Sequence, residues 1–75
     1  MTDHQAAAYK DKFYRQAVKI LTPYSEELEC FQKHWDQENF RGAYLIYHDV
    51  VQKKLINKND VDQGVDSDFY WYFVS

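Results

Sequence analysis

The sequence has little cysteine, proline or glycine and no long apolar run: it contains one cysteine, one proline and two glycines. A single cysteine, Cys30, excludes an internal disulfide framework and fits a reducing compartment, so we expect a cytoplasmic protein. No apolar stretch approaches the roughly 20 residues that a membrane helix needs. The first residues carry no basic segment followed by an apolar one, so a secretory signal peptide is not expected.

Positive charge is also scarce. Nine Lys and Arg residues stand against twelve Asp and Glu residues, which gives a net charge of −3. Phosphate contacts need a surplus of Lys and Arg, so nucleic acid is not the expected partner. The alternative is a nucleic-acid-related regulator, either a DNA mimic that occupies a DNA-binding protein or a weak binder through a basic first helix. The basic side chains of that helix are Lys10, Lys12, Arg15 and Lys19.

Aromatic side chains are what the sequence has in excess. They make up 19% of the residues, and apolar side chains as a whole make up 45%, a composition typical of a folded chain. With 75 residues, we expect one domain over residues 1–75, near the lower size limit for a hydrophobic core. Residues 69–73 are five consecutive aromatics. They cannot all face one core, because neighbours in a helix lie about 100° apart.

Apolar residues recur at steps of three and four, the helical period, in the first half of the chain. The pattern predicts a first helix over about residues 3–21 and a second over 23–35. Thr22 is expected to cap the second helix, with Pro23 at its first helical position.

A third helix is expected over residues 39–56, capped by Asp36 or Asn39. The acidic side chains of residues 22–49 then form either a solvated helix face or a patch for a basic partner. The apolar stripe of the third helix comprises Phe40, Tyr44, Tyr47, Val51 and Leu55.

The C-terminal segment is the least regular part of the pattern. Residues 57–68 are rich in Asn, Asp, Gly and Ser and predict a loop. A short helix over 68–74, capped by Ser67 or Asp68, is expected to follow, although aromatic enrichment also suits a strand paired with a second protomer. The predicted fold class is therefore all-α, a three-to-four-helix bundle.

One pair of side chains has the spacing of metal ligands without completing a known site. Cys30 and His34 lie four apart on one helix, where they share a face, and His48 and Asp49 are candidates to complete the set. Exposed or structural roles explain these residues better, so no metal and no cofactor are expected.

The aspartate-rich segment that opens at Asp60 has the oxygen ligands of a calcium loop. Such a loop needs Gly at its sixth and Glu at its twelfth position, where this chain has Val65 and Trp71. We therefore expect a solvated acidic loop. There is no catalytic motif and no glycine-rich phosphate loop, so an enzyme is not expected.

Short segments of the sequence resemble parts of three known families. Residues 25–35 (SEELECFQKHW) with 42–49 (GAYLIYHD) resemble the toxin-gripping region of colicin DNase immunity proteins. Residues 38–47 (ENFRGAYLIY) resemble the start of the second helix of a tetratricopeptide repeat, and 52–56 (QKKLI) resembles sliding-clamp peptides. No family is assigned from them. The immunity-protein resemblance implies partner contacts through Glu26, Glu27, Tyr44 and Tyr47.

The sequence predicts a small acidic protein that acts by binding another protein, of the inhibitor, immunity or regulatory adaptor type. Tyr and Trp are favoured at interfaces as large, rigid and half-polar anchors. In a helical tail, Phe69 and Phe73 are expected to close the core and leave their neighbours for a partner. A homodimer that buries the tail is the competing expectation. The predicted partner-binding residues are Tyr70, Trp71, Val74, Glu26, Glu27 and Tyr44.

Overall fold

The chain forms a small bundle of four helices. The computed structural model describes residues 3–75, and no strand occurs among them, so the predicted all-α bundle and helical tail are confirmed. None of the helices in this range has the length and apolarity that crossing a membrane requires. The elements are α1 (Asp3–Leu21), α2 (Ser25–Asp36), α3 (Phe40–Lys53), a 3-10 turn (Lys58–Asp60), α4 (Gln63–Phe69) and a π-helical continuation of α4 (Tyr70–Val74).

The junction between α1 and α2 differs from the prediction. The Thr22 hydroxyl donates to the carbonyl oxygen of Val18 at 2.6 Å, so Thr22 closes the end of α1. Tyr24 occupies the N-cap position of α2 and makes no side-chain capping bond. The prediction of Thr22 as N-cap and Pro23 as first helical residue is therefore wrong, because the hydroxyl bonds backwards to the preceding helix.

The start of α3 is as predicted, whereas its end is not. Asn39 is the N-cap, and its side-chain oxygen accepts from the Gly42 amide at 3.2 Å. The helix ends at Lys53 rather than at residue 56. Leu55 has a φ of 51°, and the Ile56 amide donates to the Val51 carbonyl at 3.2 Å, which is a Schellman ending. Leu55 is 87% exposed, so its predicted place in the apolar stripe is wrong.

The C-terminal helix begins earlier than predicted. Asp62 caps it, and its side chain accepts from the amides of Gly64 at 3.0 Å and Val65 at 3.3 Å. The predicted caps Ser67 and Asp68 lie inside α4, so this prediction is wrong. The segment predicted as a loop is therefore largely helical, and Val65 packs against the core.

The core is built around aromatic rings, with one fully buried ring from each α-helix. Phe13 stacks on Phe69 with ring centroids 4.0 Å apart and planes 4° from parallel. Tyr47 meets the Phe13 ring edge-on at 4.9 Å. Phe69 is fully buried, as predicted, and the partly buried Phe73 packs against it at 5.1 Å. The buried core consists of Phe13, Ala17, Ile20, Leu21, Phe31, Ala43, Tyr47, Val50 and Phe69.

Candidate protein-binding surface

Exposed aromatic side chains of the C-terminal helix lie beside two partly buried tyrosines of α1 and α3. Trp71 is 70% exposed, and Tyr70 and Tyr72 on either side of it are 41% and 45% exposed. Tyr72 stacks on Tyr9 of α1 at 5.1 Å, with the planes 11° apart. Tyr70 contacts Tyr44 of α3 at 5.4 Å. We call these five residues, Tyr9, Tyr44, Tyr70, Trp71 and Tyr72, the aromatic band.

The helical geometry of the tail explains why the band exists. Phe69 and Phe73 are four residues apart and share the side that faces the core. The three residues between them must then point along the flanks and outwards. The turn is π-helical, with the Ser75 amide donating to the Tyr70 carbonyl at 2.8 Å. π-helical turns are rare in proteins, and those that do occur are often found at functional sites.

The structure brings some of the predicted partner-binding residues together and separates others. Tyr44 and Tyr70 are in contact, and Trp71 is exposed beside them. Val74 is partly buried and packs against the core, so less of it is available than the sequence indicates. The sequence prediction omitted Tyr9 and Tyr72. Their stacking was not predictable, because it depends on how α1 packs against the tail.

Glu26 and Glu27 line a separate groove of about 310 Å³ between α2 and α3. Cys30 and His34 lie in the same groove, as their spacing predicts. His34 Nδ1 accepts from the Asn39 side-chain amide at 3.0 Å. Nowhere in residues 3–75 do three or more His, Cys, Asp or Glu side chains come together as a metal site would require. This groove is acidic but has no feature that selects a ligand.

A half-buried polar network lies beneath the aromatic band, where α1, α3 and α4 meet. The Tyr47 hydroxyl donates to the Asp66 carboxylate at 3.0 and 3.1 Å. The Gln16 amide nitrogen donates to Asp66 at 2.8 Å and to the Tyr47 hydroxyl at 2.9 Å. The Gln16 oxygen accepts from the Asp62 backbone amide at 3.0 Å. Sequence reasoning missed this network, because its members are distant in sequence.

Burial controls the protonation of this network. Burial raises the pKa of the Asp66 carboxyl from 3.8 to about 6, and the charge of Asp62 adds to the rise. Hydrogen bonds from Tyr47 and Gln16, together with His48, lower the pKa and only partly oppose this effect. Burial also raises the pKa of the Tyr47 phenol, with a contribution from the Asp66 charge. The hydrogen bonds and charges around Asp66 therefore do not fully offset the cost of burying its negative charge.

The basic side chains of α1 are partly committed to contacts within the chain. Lys10 Nζ lies over the Phe40 ring, 5.4 Å from its centroid. Arg15 pairs with Asp11 at 3.1 Å. Lys12 and Lys19 are exposed. Two of the four cations therefore have partners within the chain.

Comparison with known proteins adds no functional information. No protein-family model matches the chain, and neither a curated protein nor a solved structure is significantly similar to it. The candidate surface therefore rests on its own geometry and chemistry.

Proposed function

We propose that this chain is a non-enzymatic binding protein that holds a protein partner through the aromatic band. The observation that carries the proposal is the 70% exposure of Trp71 between two half-exposed tyrosines. Trp and Tyr are enriched among the residues that dominate interface energies, and clusters of them mark interaction sites. The class is that of a small inhibitor, immunity protein or regulatory adaptor.

The fixed position of the tyrosines supports this proposal. Tyr72 stacks on Tyr9, and Tyr70 packs on Tyr44, so neither ring is loose at the surface. An interface loses less conformational entropy on binding when its side chains are already held in place. Trp71 therefore lies between two sequence neighbours whose rings are held in place.

The charge of the C-terminal segment that carries Tyr70, Trp71 and Tyr72 supports a basic partner. Residues 59–75 contain four aspartates and no Lys, Arg or His. Acidic groups beside an apolar patch steer a positively charged partner and raise its association rate. The net charge of −3 for the whole chain acts in the same direction.

A photocrosslinking experiment tests the proposal. p-Benzoyl-phenylalanine replaces Trp71 in one variant and Leu45 in a control, since Leu45 is 56% exposed on the outer side of α3. We expect the probe at position 71 to capture one specific protein in the cells that produce the chain, and the probe at position 45 to capture none.

The captured partner, once purified, allows a quantitative comparison by calorimetry. Trp71→Ala is expected to weaken binding about 30-fold or more, the loss associated with an interface hot spot, and Leu45→Ala to change it less than about twofold. Equal effects of the two variants contradict the proposal. If the captured protein is the chain itself and light scattering shows a dimer that Trp71→Ala dissociates, the partner is a second copy.

A further inference from the structure

A groove opens between α3 and α4 next to the aromatic band. Its volume is about 270 Å³, and its lining combines one carboxylate with an aromatic wall and several polar groups. The lining residues that matter here are Tyr44 and His48 from α3, Lys58 from the 3-10 turn, and Asp66 from α4. Tyr44 belongs to both the groove and the aromatic band, and it contacts Tyr70 of the band at 5.4 Å.

The carboxylate of Asp66 is held in place by neutral groups. Its hydrogen-bond donors are the Tyr47 hydroxyl and the Gln16 amide. A carboxylate has about four lone-pair positions and accepts a bidentate arginine when they are open. The Tyr47 hydrogen is shared between both oxygens, so acceptor capacity remains. The ion pairs within 4 Å in residues 3–75 are Arg15–Asp11 and Lys53–Asp49, and no cation in that range pairs with Asp66.

The wall beside this carboxylate is suited to a flat cation. The Tyr44 and His48 rings are stacked 5.6 Å apart with planes 14° from parallel. Guanidinium groups stack on aromatic faces and pair with carboxylates at the same time, because the group is planar and carries its donors in a fork. An ammonium group is also attracted to a ring face, but it is a point charge without the planar fork that pairs with both carboxylate oxygens.

From this geometry we propose that the groove binds an arginine side chain of the protein partner, with the guanidinium paired to Asp66 and packed against the Tyr44–His48 ring pair. This inference rests on the proposed function, since the partner supplies the arginine, and it adds the chemistry that the partner must carry. The aromatic band then buries the apolar surface around the inserted side chain.

Lys58 is the one Lys or Arg among the described residues that line the groove, and it gives the proposal a second test. The side chain is exposed, on the 3-10 turn, and its charge repels an incoming guanidinium. Removal of this charge by Lys58→Gln is expected to strengthen arginine binding. A groove that selected an anion would respond in the opposite direction.

The test uses N-acetyl-arginine amide as the probe, titrated into the intact chain and followed by NMR shifts of backbone amides. The control ligand is N-acetyl-citrulline amide, which has nearly the same shape and no charge. We expect saturable shifts at Asp66, Tyr44 and Tyr70 with arginine and at least tenfold weaker binding of citrulline, since hydrogen bonds between charged groups are the strong ones.

Asp66→Asn keeps the size of the side chain and removes its charge, and should weaken arginine binding about tenfold. Asp36→Asn makes the same charge change at an exposed position on α2 and should leave binding within about twofold. The proposal is overturned if citrulline binds equally, if Asp66→Asn has no effect, or if no saturable shift occurs in the groove.

The experiments can show the arginine site to be wrong without affecting the proposed function, and the reverse. If Trp71→Ala abolishes partner binding while Asp66→Asn leaves it unchanged, the protein-binding function stands and the arginine site is wrong. If arginine binds in the groove and no protein is crosslinked at position 71, the arginine site stands and the proposed function is wrong.

Discussion

At the scale of single residues, Asp66 connects three helices, but burying its negative charge costs free energy. Its carboxylate joins α4 to α1 and α3 through Gln16 and Tyr47. Burial raises its pKa to about 6, so at neutral pH the folded chain holds an anion that water would solvate better. The titratable groups around it are Tyr47 and His48 on α3 and Asp62 at the start of α4.

The first prediction is that Asp66→Asn stabilises the fold at pH 7. The raised pKa means that the folded state binds this proton more tightly than the unfolded state, whose carboxyl titrates near 3.8. The stability associated with Asp66 is therefore fully present below about pH 3.8 and is lost as the pH rises through about 6. Asn avoids the loss and still accepts hydrogen bonds from Tyr47 and Gln16.

Urea unfolding followed by circular dichroism measures this effect. The full pKa change corresponds to about 3 kcal/mol, and residual contact with water reduces our expectation to about 1 kcal/mol at pH 7. The difference between wild type and Asp66→Asn should nearly vanish near pH 3.5. A variant that is less stable than wild type at pH 7 would show that the ionised network stabilises the fold.

At the scale of helices and their ends, the chain uses non-glycine residues where glycine is preferred. Glu38 follows α2 with a φ of 58°, and Leu55 follows α3 with a φ of 51°. After both helices the next amide bonds back to a helical carbonyl, from Asn39 to His34 at 2.8 Å and from Ile56 to Val51 at 3.2 Å. These left-handed residues cost roughly 1–2 kcal/mol each for an L-amino acid.

The second prediction is that Leu55→Gly gives a more stable protein than Leu55→Ala. Both variants remove the exposed side chain, and only glycine relieves the left-handed backbone. The greater freedom of glycine in the unfolded chain offsets part of this gain, which leaves about 0.5 kcal/mol in favour of glycine.

Leu45 provides the matched control for this comparison. It is exposed in the middle of α3, where glycine costs about 1 kcal/mol relative to alanine. Chemical unfolding should therefore show Leu55→Gly to be more stable than Leu55→Ala, and Leu45→Gly to be less stable than Leu45→Ala. The same order at both positions would mean that the left-handed residue at the end of α3 carries no strain.

Sequence patterns predicted the helices better than their ends. The helical spacing of apolar residues gave α1 with the observed bounds, and Asn39 identified the start of α3. The start of α4 was missed because its first turn is rich in Asp, Gln and Gly. The spacing of four that links Val61, Val65, Phe69 and Phe73 was the available signal. The end of α3 depends on a left-handed leucine, which no residue preference indicates.

At the scale of the whole molecule, the fold depends on rings that come from distant parts of the sequence. Each α-helix contributes one fully buried ring, from Phe13, Phe31, Tyr47 and Phe69. The site could be predicted only in part, since Tyr70 and Trp71 follow from helical geometry alone. The groove beside them requires α3, α4 and the connecting turn to be packed, and that information lies in three-dimensional contacts.

The third prediction separates the two roles of the aromatic tail. Phe69→Ala removes a fully buried ring and should cost about 3–5 kcal/mol, a large part of the stability of a small domain. Trp71→Ala removes an exposed ring and should change stability by less than about 0.5 kcal/mol.

Thermal and urea unfolding followed by circular dichroism compare these two variants with wild type. We expect Phe69→Ala to be largely unfolded at 37 °C and Trp71→Ala to unfold with wild type. Destabilisation by Trp71→Ala as large as that by Phe69→Ala would mean that the band is part of the fold, and binding results for Trp71 would then need a structural interpretation.

The stacking of Phe13 on Phe69 also has a consequence for how the chain is made. The two rings lie far apart in the sequence, so the central contact of the core closes a long loop. On a ribosome, the helices can form early, but the centre of the core lacks a ring until Phe69 has left the exit tunnel. Folding to the complete core is therefore expected after translation of the tail, and a nascent chain stalled before it would expose apolar surface to chaperones.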